Sequence, residues 1–111
     1  MKARFEIIIL EEAEEFISKL DETTRRKIIY NMDKASYVQD PKLFKKLNND
    51  IWEFRTKYLN QQFRFFAFWD KTDKTETLVI STHGMIKKVS KVPKSEIAKA
   101  ESIMHRYFGK K

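Results

Sequence analysis

Cysteine is absent from this chain. Without a thiol there is no disulfide framework, no Cys-ligated zinc or iron–sulfur centre and no thiol nucleophile. Glycine and proline are scarce, with two of each in 111 residues. That excludes collagen-like and low-complexity architectures and argues against a many-turned β-sandwich. Long apolar runs are missing too; none approaches the roughly 18 residues that a membrane helix needs. The run Ile7 to Leu10 follows Lys2 and Arg4 as an export signal would. However, Glu6 separates Phe5 from it and so interrupts the apolar stretch, and Glu11, Glu12, Glu14 and Glu15 follow at once. The stretch is too short and its flank has the wrong charge, so a cytoplasmic protein with no membrane partner is expected. Also missing are a Gly-rich phosphate loop, a Ser-centred nucleophile elbow and a His-x-x-x-His pair. No metal and no cofactor are expected; an enzyme built this way would work with side chains alone.

What is present describes one globular domain, residues 1–111. Hydrophobic residues make up 41% and charged residues 35%, enough apolar surface for a single core and too little length for two. The net charge of +7 is unevenly spread. Residues 1–40 carry −2, residues 41–82 carry +3 and residues 83–111 carry +6. A basic region of that kind attracts polyanions, nucleic acid first among them, although the same charge also serves plain solubility.

Arg4 to Ile9 alternates loosely and reads as a strand. Leu10, Ala13, Phe16, Ile17 and Leu20 recur at helical spacing. Asp21 is a good N-cap for a second helix with Ile28, Ile29, Met32 and Ala35 as its apolar stripe, ended by Asp40-Pro41. The two helices are expected to form an antiparallel hairpin. Leu43 to Asp50 reads as a connector. Three strand-like runs follow: Ile51 to Lys57, Gln62 to Trp69 and Thr77 to Met85. Polar turns at Asn60-Gln61 and from Asp70 to Lys74 join them into an antiparallel meander. Pro93 suits the first turn of a last helix. Its stripe is Ile97, Ala100, Met104, Tyr107 and Phe108, and Gly109 stops it. The expected class is α+β, with a curved antiparallel sheet on a helical hairpin, in the order β-α-α-β-β-β-α.

Alternation assigns faces. Glu53, Arg55 and Lys57 share one side of their strand, and Gln62, Arg64, Phe66 and Phe68 share one side of the next. Arg64 is a cation inside an aromatic strand, and burying it unpaired would be costly. It either pairs with Glu53 across the sheet or faces an anion-binding groove, and Arg55 poses the same choice. In His83-Gly84-Met85-Ile86-Lys87-Lys88 a strand ends near a glycine, which permits a bend or bulge. The adjacent lysines either neutralise phosphate charge or form an ordinary solvated pair. His83 and His105 are the only imidazoles, and histidine is the usual acid or base near neutral pH. Aromatics interleaved with bases suit stacking on unpaired nucleotides, with Tyr58 the best candidate for exposure.

These pieces form an ordered set: Ile51-Trp52-Glu53-Phe54-Arg55, Tyr58-Leu59-Asn60-Gln61-Gln62-Phe63-Arg64-Phe65, Leu78 to Lys88, then Pro93, Glu96-Ile97 and Ala100. The set resembles the HigB-like, phage-derived toxins of the RelE/ParE superfamily over roughly residues 4–108. The resemblance implies a RelE/ParE-like fold and a toxin of a bacterial type II toxin–antitoxin system, an endoribonuclease that cuts mRNA on the ribosome without a metal. It implies a helix-turn-helix antitoxin, HigA-like, as partner. Carried onto the matching positions, Arg55 and Arg64 would hold the scissile phosphate, and Lys87 and Lys88 would add positive potential. Lys57, His83 or Tyr107 would assist proton transfer. Lys88, Tyr58 and Lys91 are the expected RNA contacts. Phe63 and Met85 stand where the family more often has Tyr and Phe, and Val92 stands where a Thr cap is usual; none of these removes a basic residue. The same fold also serves ParE-type inhibitors of DNA gyrase, and a non-catalytic RNA-binding relic would share the charge pattern. The cluster Arg55, Arg64, Lys87 and Lys88 favours the ribonuclease, because gyrase inhibition needs no phosphate-cleaving cations.

Overall fold

The computed structural model describes residues 2–72, 78–88 and 90–110. Strand β1 (Glu6–Ile9) packs Ile7 and Ile9 against the core and turns Ile8 outward, as period-2 alternation requires. Helix α1 (Glu11–Ser18) buries Ala13 and Ile17 and places Glu11, Glu12 and Glu14 in its first turn, where the helix dipole favours carboxylates. Helix α2 (Glu22–Tyr37) begins after Asp21 as expected. The Asp21 carboxylate accepts the Thr23 and Thr24 hydroxyls, at 2.6 and 2.5 Å. Ile28, Met32 and Ala35 are buried, but Ile29 stands exposed on the helix flank rather than in the stripe.

Four strands and a helix follow: β2 (Phe44–Lys46), β3 (Trp52–Tyr58), β4 (Gln61–Asp70), β5 (Leu78–Lys87) and α3 (Lys94–Gly109). The sheet order is β1-β5-β4-β3-β2. The meander β3-β4-β5 is antiparallel, as its polar turns imply. Two features differ from expectation. The connector holds the short strand β2, anchored where Phe44 pairs with Phe54, so the order is β-α-α-β-β-β-β-α. The sheet is also not antiparallel throughout, because β1 runs parallel to β5. Parallel neighbours need a long crossover, here supplied by everything between them.

Smaller boundaries shift as well. Leu59 and Asn60 both have positive φ, 50° and 63°, the signature of a two-residue hairpin turn that follows strand twist. The turn therefore sits one residue earlier than Asn60-Gln61. Pro93 is the N-cap of α3 rather than within its first turn, and Gly109 is the last helical residue. Asp73, Lys74 and Thr77, expected in a turn and at a strand start, lie outside the described residues. Among the described residues no helix is long and apolar enough to cross a membrane.

The sheet is covered on both faces. Phe54, Phe63, Phe65, Ala67 and Val79 pack with α1 and α2 residues on one side. Ile51, Phe66, Phe68 and Ile80 pack with Ala100 and Met104 of α3 on the other. Central β4 is consequently buried without a break from Phe63 to Phe68. Its alternation is invisible to a simple hydrophobic count, because both faces are apolar.

Between β4 and β5 the register skips. Phe65 pairs with Gly84 and Ala67 with Ser81, so Thr82 and His83 together stand against Phe66 in a β-bulge. Gly84 beside the bulge has no positive φ. Its absent side chain matters for another reason: a Cβ there would lie 2.5 Å from a Phe65 ring carbon and 2.8 Å from one of Phe16. The glycine makes room for two rings packed edge to face at 5.6 Å. Gly84→Ala is expected to cost about 1–3 kcal/mol by overpacking, read as a lowered urea midpoint. Adding Phe65→Leu should recover part of the loss, and an unchanged midpoint in the single variant would show that the rings can retreat.

Candidate functional site

The α3-facing side of the sheet is a lattice of side chains set by strand register. Lys57, Gln62 and Lys87 form one row, Arg55, Arg64 and Met85 the next. Glu53 and Phe66 follow, with His83 of the bulge stacked on the Phe66 ring. Helix α3 covers the apolar end of this lattice, packing on Phe66, Phe68 and Met85. The basic end stays open as a groove of about 350 Å³ lined by Lys42, Arg55, Thr56, Lys57, Gln62 and Arg64.

Arg55 and Arg64 are directly opposite across the antiparallel pair. Like charges in that position repel. Glu53 resolves the conflict from the same face: its Oε1 lies 3.2 Å from Arg64 Nε and its Oε2 3.8 Å from Arg55 Nε. Arg64 also donates to Gln62 Oε1 at 2.8 Å and to the Phe63 carbonyl at 3.3 Å. Arg55 donates to the Pro41 carbonyl at 3.3 Å. The two choices posed for Arg64, ion pair or groove, thus coincide in one side chain.

The trio is not fully satisfied. Among the described residues, Glu53 Oε1, Arg55 Nε and Arg64 Nε have no aligned hydrogen-bond partner, so the Arg64–Glu53 approach is a charge contact without hydrogen-bond geometry. The side chains of Arg64 and Glu53 are only 3% and 5% exposed, against 30% for Arg55. Burial is the dominant influence on both members of the pair. It pushes the Glu53 carboxyl above its ordinary value despite the surrounding Arg64, Arg55, Lys87 and Lys45. It also pulls the Arg64 guanidinium below its ordinary value, with Glu53 opposing. Two guanidiniums held side by side at a groove floor concentrate positive charge there: partly exposed Arg55 is the one open to an anion, while Arg64 aims its N–H groups at Glu53, Gln62 and Phe63 and adds its field from below.

The remaining candidates separate. Lys57 is exposed at the groove, and Lys87 ends the same row. Lys88 and Lys91 are exposed beyond β5 and do not line the groove. Three candidates lie apart from the arginine groove. Tyr58 lies on the opposite face, half-buried against the α1/α2 core, because even-numbered β3 residues point away from Arg55. Tyr107 donates to Asp70 Oδ2 at 2.8 Å and packs edge to face on Phe68. Asp70 is six residues along β4 from Arg64, roughly 20 Å, so Tyr107 belongs to the far end of the sheet. His83 shares the arginine face but is sealed. Its Nε2 is 2.8 Å from Glu96 Oε2, its Nδ1 is 3.0 Å from the Thr82 hydroxyl, and its side chain is buried. Lys42 and Gln62 are groove residues that sequence reading did not select. Alternation already placed Gln62 beside Arg64, whereas nothing local shows the chain folding back at Pro41.

Once this geometry is in view, comparison with known proteins identifies the lineage. The family model described as Phage derived protein Gp49-like (DUF891) matches residues 15–105. The chain belongs to this family, which is one of the RelE/HigB-type toxin superfamily. The match spans both arginines, Lys57, His83 and Lys87 and stops short of Tyr107. A search of curated proteins finds no match.

Two predictions follow from the buried groups. Glu53→Ala leaves a sealed guanidinium facing its like, and is expected to cost about 3–5 kcal/mol in denaturant unfolding. The double variant Glu53→Ala, Arg64→Met should regain much of that. The second concerns pH. Burial lowers the His83 pKa below the usual histidine value, with the Glu96 hydrogen bond pulling the other way. Between those two values the unfolded chain binds a proton that the folded chain does not. Stability from this group is therefore complete above about pH 6.5 and declines as pH falls below it. Glu53, raised instead, contributes with the opposite sign and is common to wild type and variant. The urea midpoint should accordingly fall more steeply from pH 7 to 5 in wild type than in His83→Gln.

Proposed function

We propose that this chain is a HigB-like toxin of a type II toxin–antitoxin system and cleaves mRNA on the ribosome. The observation that carries this reading is the Arg55–Arg64 pair, preset around Glu53 in an open groove. Ribose chemistry requires little more than such a charge trap. The 2′-hydroxyl gives its proton to solvent water as its oxygen attacks the adjacent phosphorus, the bond from phosphorus to the 5′-oxygen breaks, and the products are a 2′,3′-cyclic phosphate and a 5′-hydroxyl. Negative charge accumulates on the phosphoryl oxygens in between, where preorganised cations act most strongly. Arg55 and Arg64 would take that charge, with Lys87 adding field from the next row. Lys57, exposed at the same groove, would hand a proton to the leaving 5′-oxygen. His83 and Tyr107 have no direct part in this scheme, since His83 is held by Glu96 of α3 and does not line the groove, and Tyr107 is remote.

The expected partner is a helix-turn-helix antitoxin with acidic or apolar segments complementary to this basic face. The working compartment is the cytoplasm, where the ribosome is. The step as written draws on side chains alone; divalent ions enter only through the ribosome that presents the mRNA.

The test is cleavage of a defined mRNA in a reconstituted translation system, with and without ribosomes, mapping the new ends. In-frame cuts are expected only with ribosomes. Arg55→Ala should reduce cutting by about 10²–10³-fold, the scale for loss of one charge-stabilising donor. Its half-open position should leave folding nearly unchanged, which makes it a cleaner variant than buried Arg64. Absence of cuts under translating conditions would remove the ribonuclease reading. Gyrase inhibition or salt-sensitive RNA binding without products would then identify the alternative.

A further inference from the structure

A second groove of about 240 Å³ opens on the opposite face of the sheet, where the end of α2 and Pro41 leave β3 and β4 uncovered. Its apolar walls are Trp52, Trp69, Phe44 and Pro41. No Leu, Ile, Val or Met is among the described lining residues. Phe44 lies stacked against both Phe54 and Trp52, at 4.5 and 4.9 Å, so half-buried Trp52 ends a run of stacked rings. Trp69 stands against Trp52 at 85° and 5.7 Å, forming a corner, and Lys71 Nζ lies 5.4 Å from its ring centre.

The rim is cationic. Arg4, Lys45 and Lys46 line the groove, and Asp40 is the one carboxylate among the described lining residues. Asp40 is already used, accepting the Lys42 backbone amide at 2.9 Å. Lys46 pairs in register with Trp52, and Lys45 pairs with Glu53 of the arginine face. Because successive strand residues face opposite sides, these two lysines straddle the sheet edge. The chain at Pro41 and Lys42 borders both grooves.

We propose that this corner binds an unpaired nucleotide of a single-stranded nucleic acid, its base stacked on an indole and its phosphates on Lys45 and Lys46. Flat aromatic walls with a lysine rim make a stacking platform inside an electrostatic funnel. A peptide would find flat rings here and no branched aliphatic pocket for its anchors. Trp52 lies three residues from Arg55 along β3, roughly 10 Å, on the other face. A strand held in the arginine groove could therefore continue over the β2 edge and stack here. The site does not depend on cleavage.

Both tryptophans of the chain line this groove, so indole fluorescence reports on it directly. Titration with a single-stranded hexamer of adenosine nucleotides should quench that emission saturably. An RNA duplex of equal length and inorganic polyphosphate should not. The double variant Lys45→Ala, Lys46→Ala, altered only at exposed positions, should weaken the effect about tenfold at low salt. Arg55→Ala should retain it, which separates this site from the cleavage reading. Trp52→Phe and Trp69→Phe then show which indole responds. No quenching by the hexamer would overturn the proposal, as would equal quenching by polyphosphate or duplex. Quenching that survives the lysine variant, or vanishes in Arg55→Ala, would overturn it too.

Discussion

The contact between Arg64 and Glu53 is the constraint around which the functional face is arranged. Strand β4 is buried on both sides from Phe63 to Phe68, an environment that rejects a lone charge by several kcal/mol. Arg64 remains there because Glu53 on β3 supplies a counter-charge at 3.2 Å. That same carboxylate reaches toward Arg55 and so lets two guanidiniums face each other. The electrostatic work of bringing like charges together is done during folding, before any anion arrives. A site assembled in advance reorganises little when a phosphate binds. The cost remains visible in the raised Glu53 carboxyl and in three buried polar atoms without aligned partners among the described residues.

Helix α3 decides where that face is open. It covers Phe66, Phe68, Ile80 and Met85 with Ala100 and Met104 and stops short of the rows that carry Arg55, Arg64, Gln62 and the lysines. His83 stands at the border, joined to Glu96 of α3 at 2.8 Å. The bulge that presents His83 is thus tied to the helix that limits the groove. An imidazole that looks like catalytic equipment in the sequence works in the structure as a fastening between sheet and helix. Its Nε2 meets Glu96 of α3 and its Nδ1 meets the Thr82 hydroxyl, which itself donates to the Phe66 carbonyl at 3.1 Å.

Sequence reading succeeded where the signal was local and periodic. The two-residue period of β3 and β4 put Glu53, Arg55 and Arg64 on one face and Phe63 and Phe65 on the other, as observed. It failed where the cause was not local. Strand β2 is three residues ending in two lysines, too short to alternate, and exists because Phe44 reaches Phe54. The parallel pairing of β1 with β5 depends on residues at opposite ends of the chain. Gly84 reads in the sequence as permitting a bend or bulge, and a bulge does stand beside it; what the sequence did not show is that two phenylalanine rings meeting there in space make the glycine necessary. Tyr107 looked accessible to the site because spacing gives a helical face and not the end of the sheet beneath it. Membership of the Gp49-like family agrees with the overall pattern, whereas the roles of individual side chains rest on geometry.

The placement of β1 has a consequence for how the protein comes into being. Among the described residues its only strand neighbour is β5, so Glu6 must wait for Leu78 and Ile9 for Ser81. Contacts this distant along the chain form late, after the entropy of closing the intervening segment has been met. The row that ends in Lys87 is likewise unfinished until β5 joins β4. During synthesis the N-terminal strand and helices can collapse, and the arginine groove forms once β4 pairs with β3, but the sheet and the row that ends in Lys87 are complete only when β5 is delivered. A nascent chain that has yet to add β5 therefore carries its arginines without the lysine that completes the row beside them.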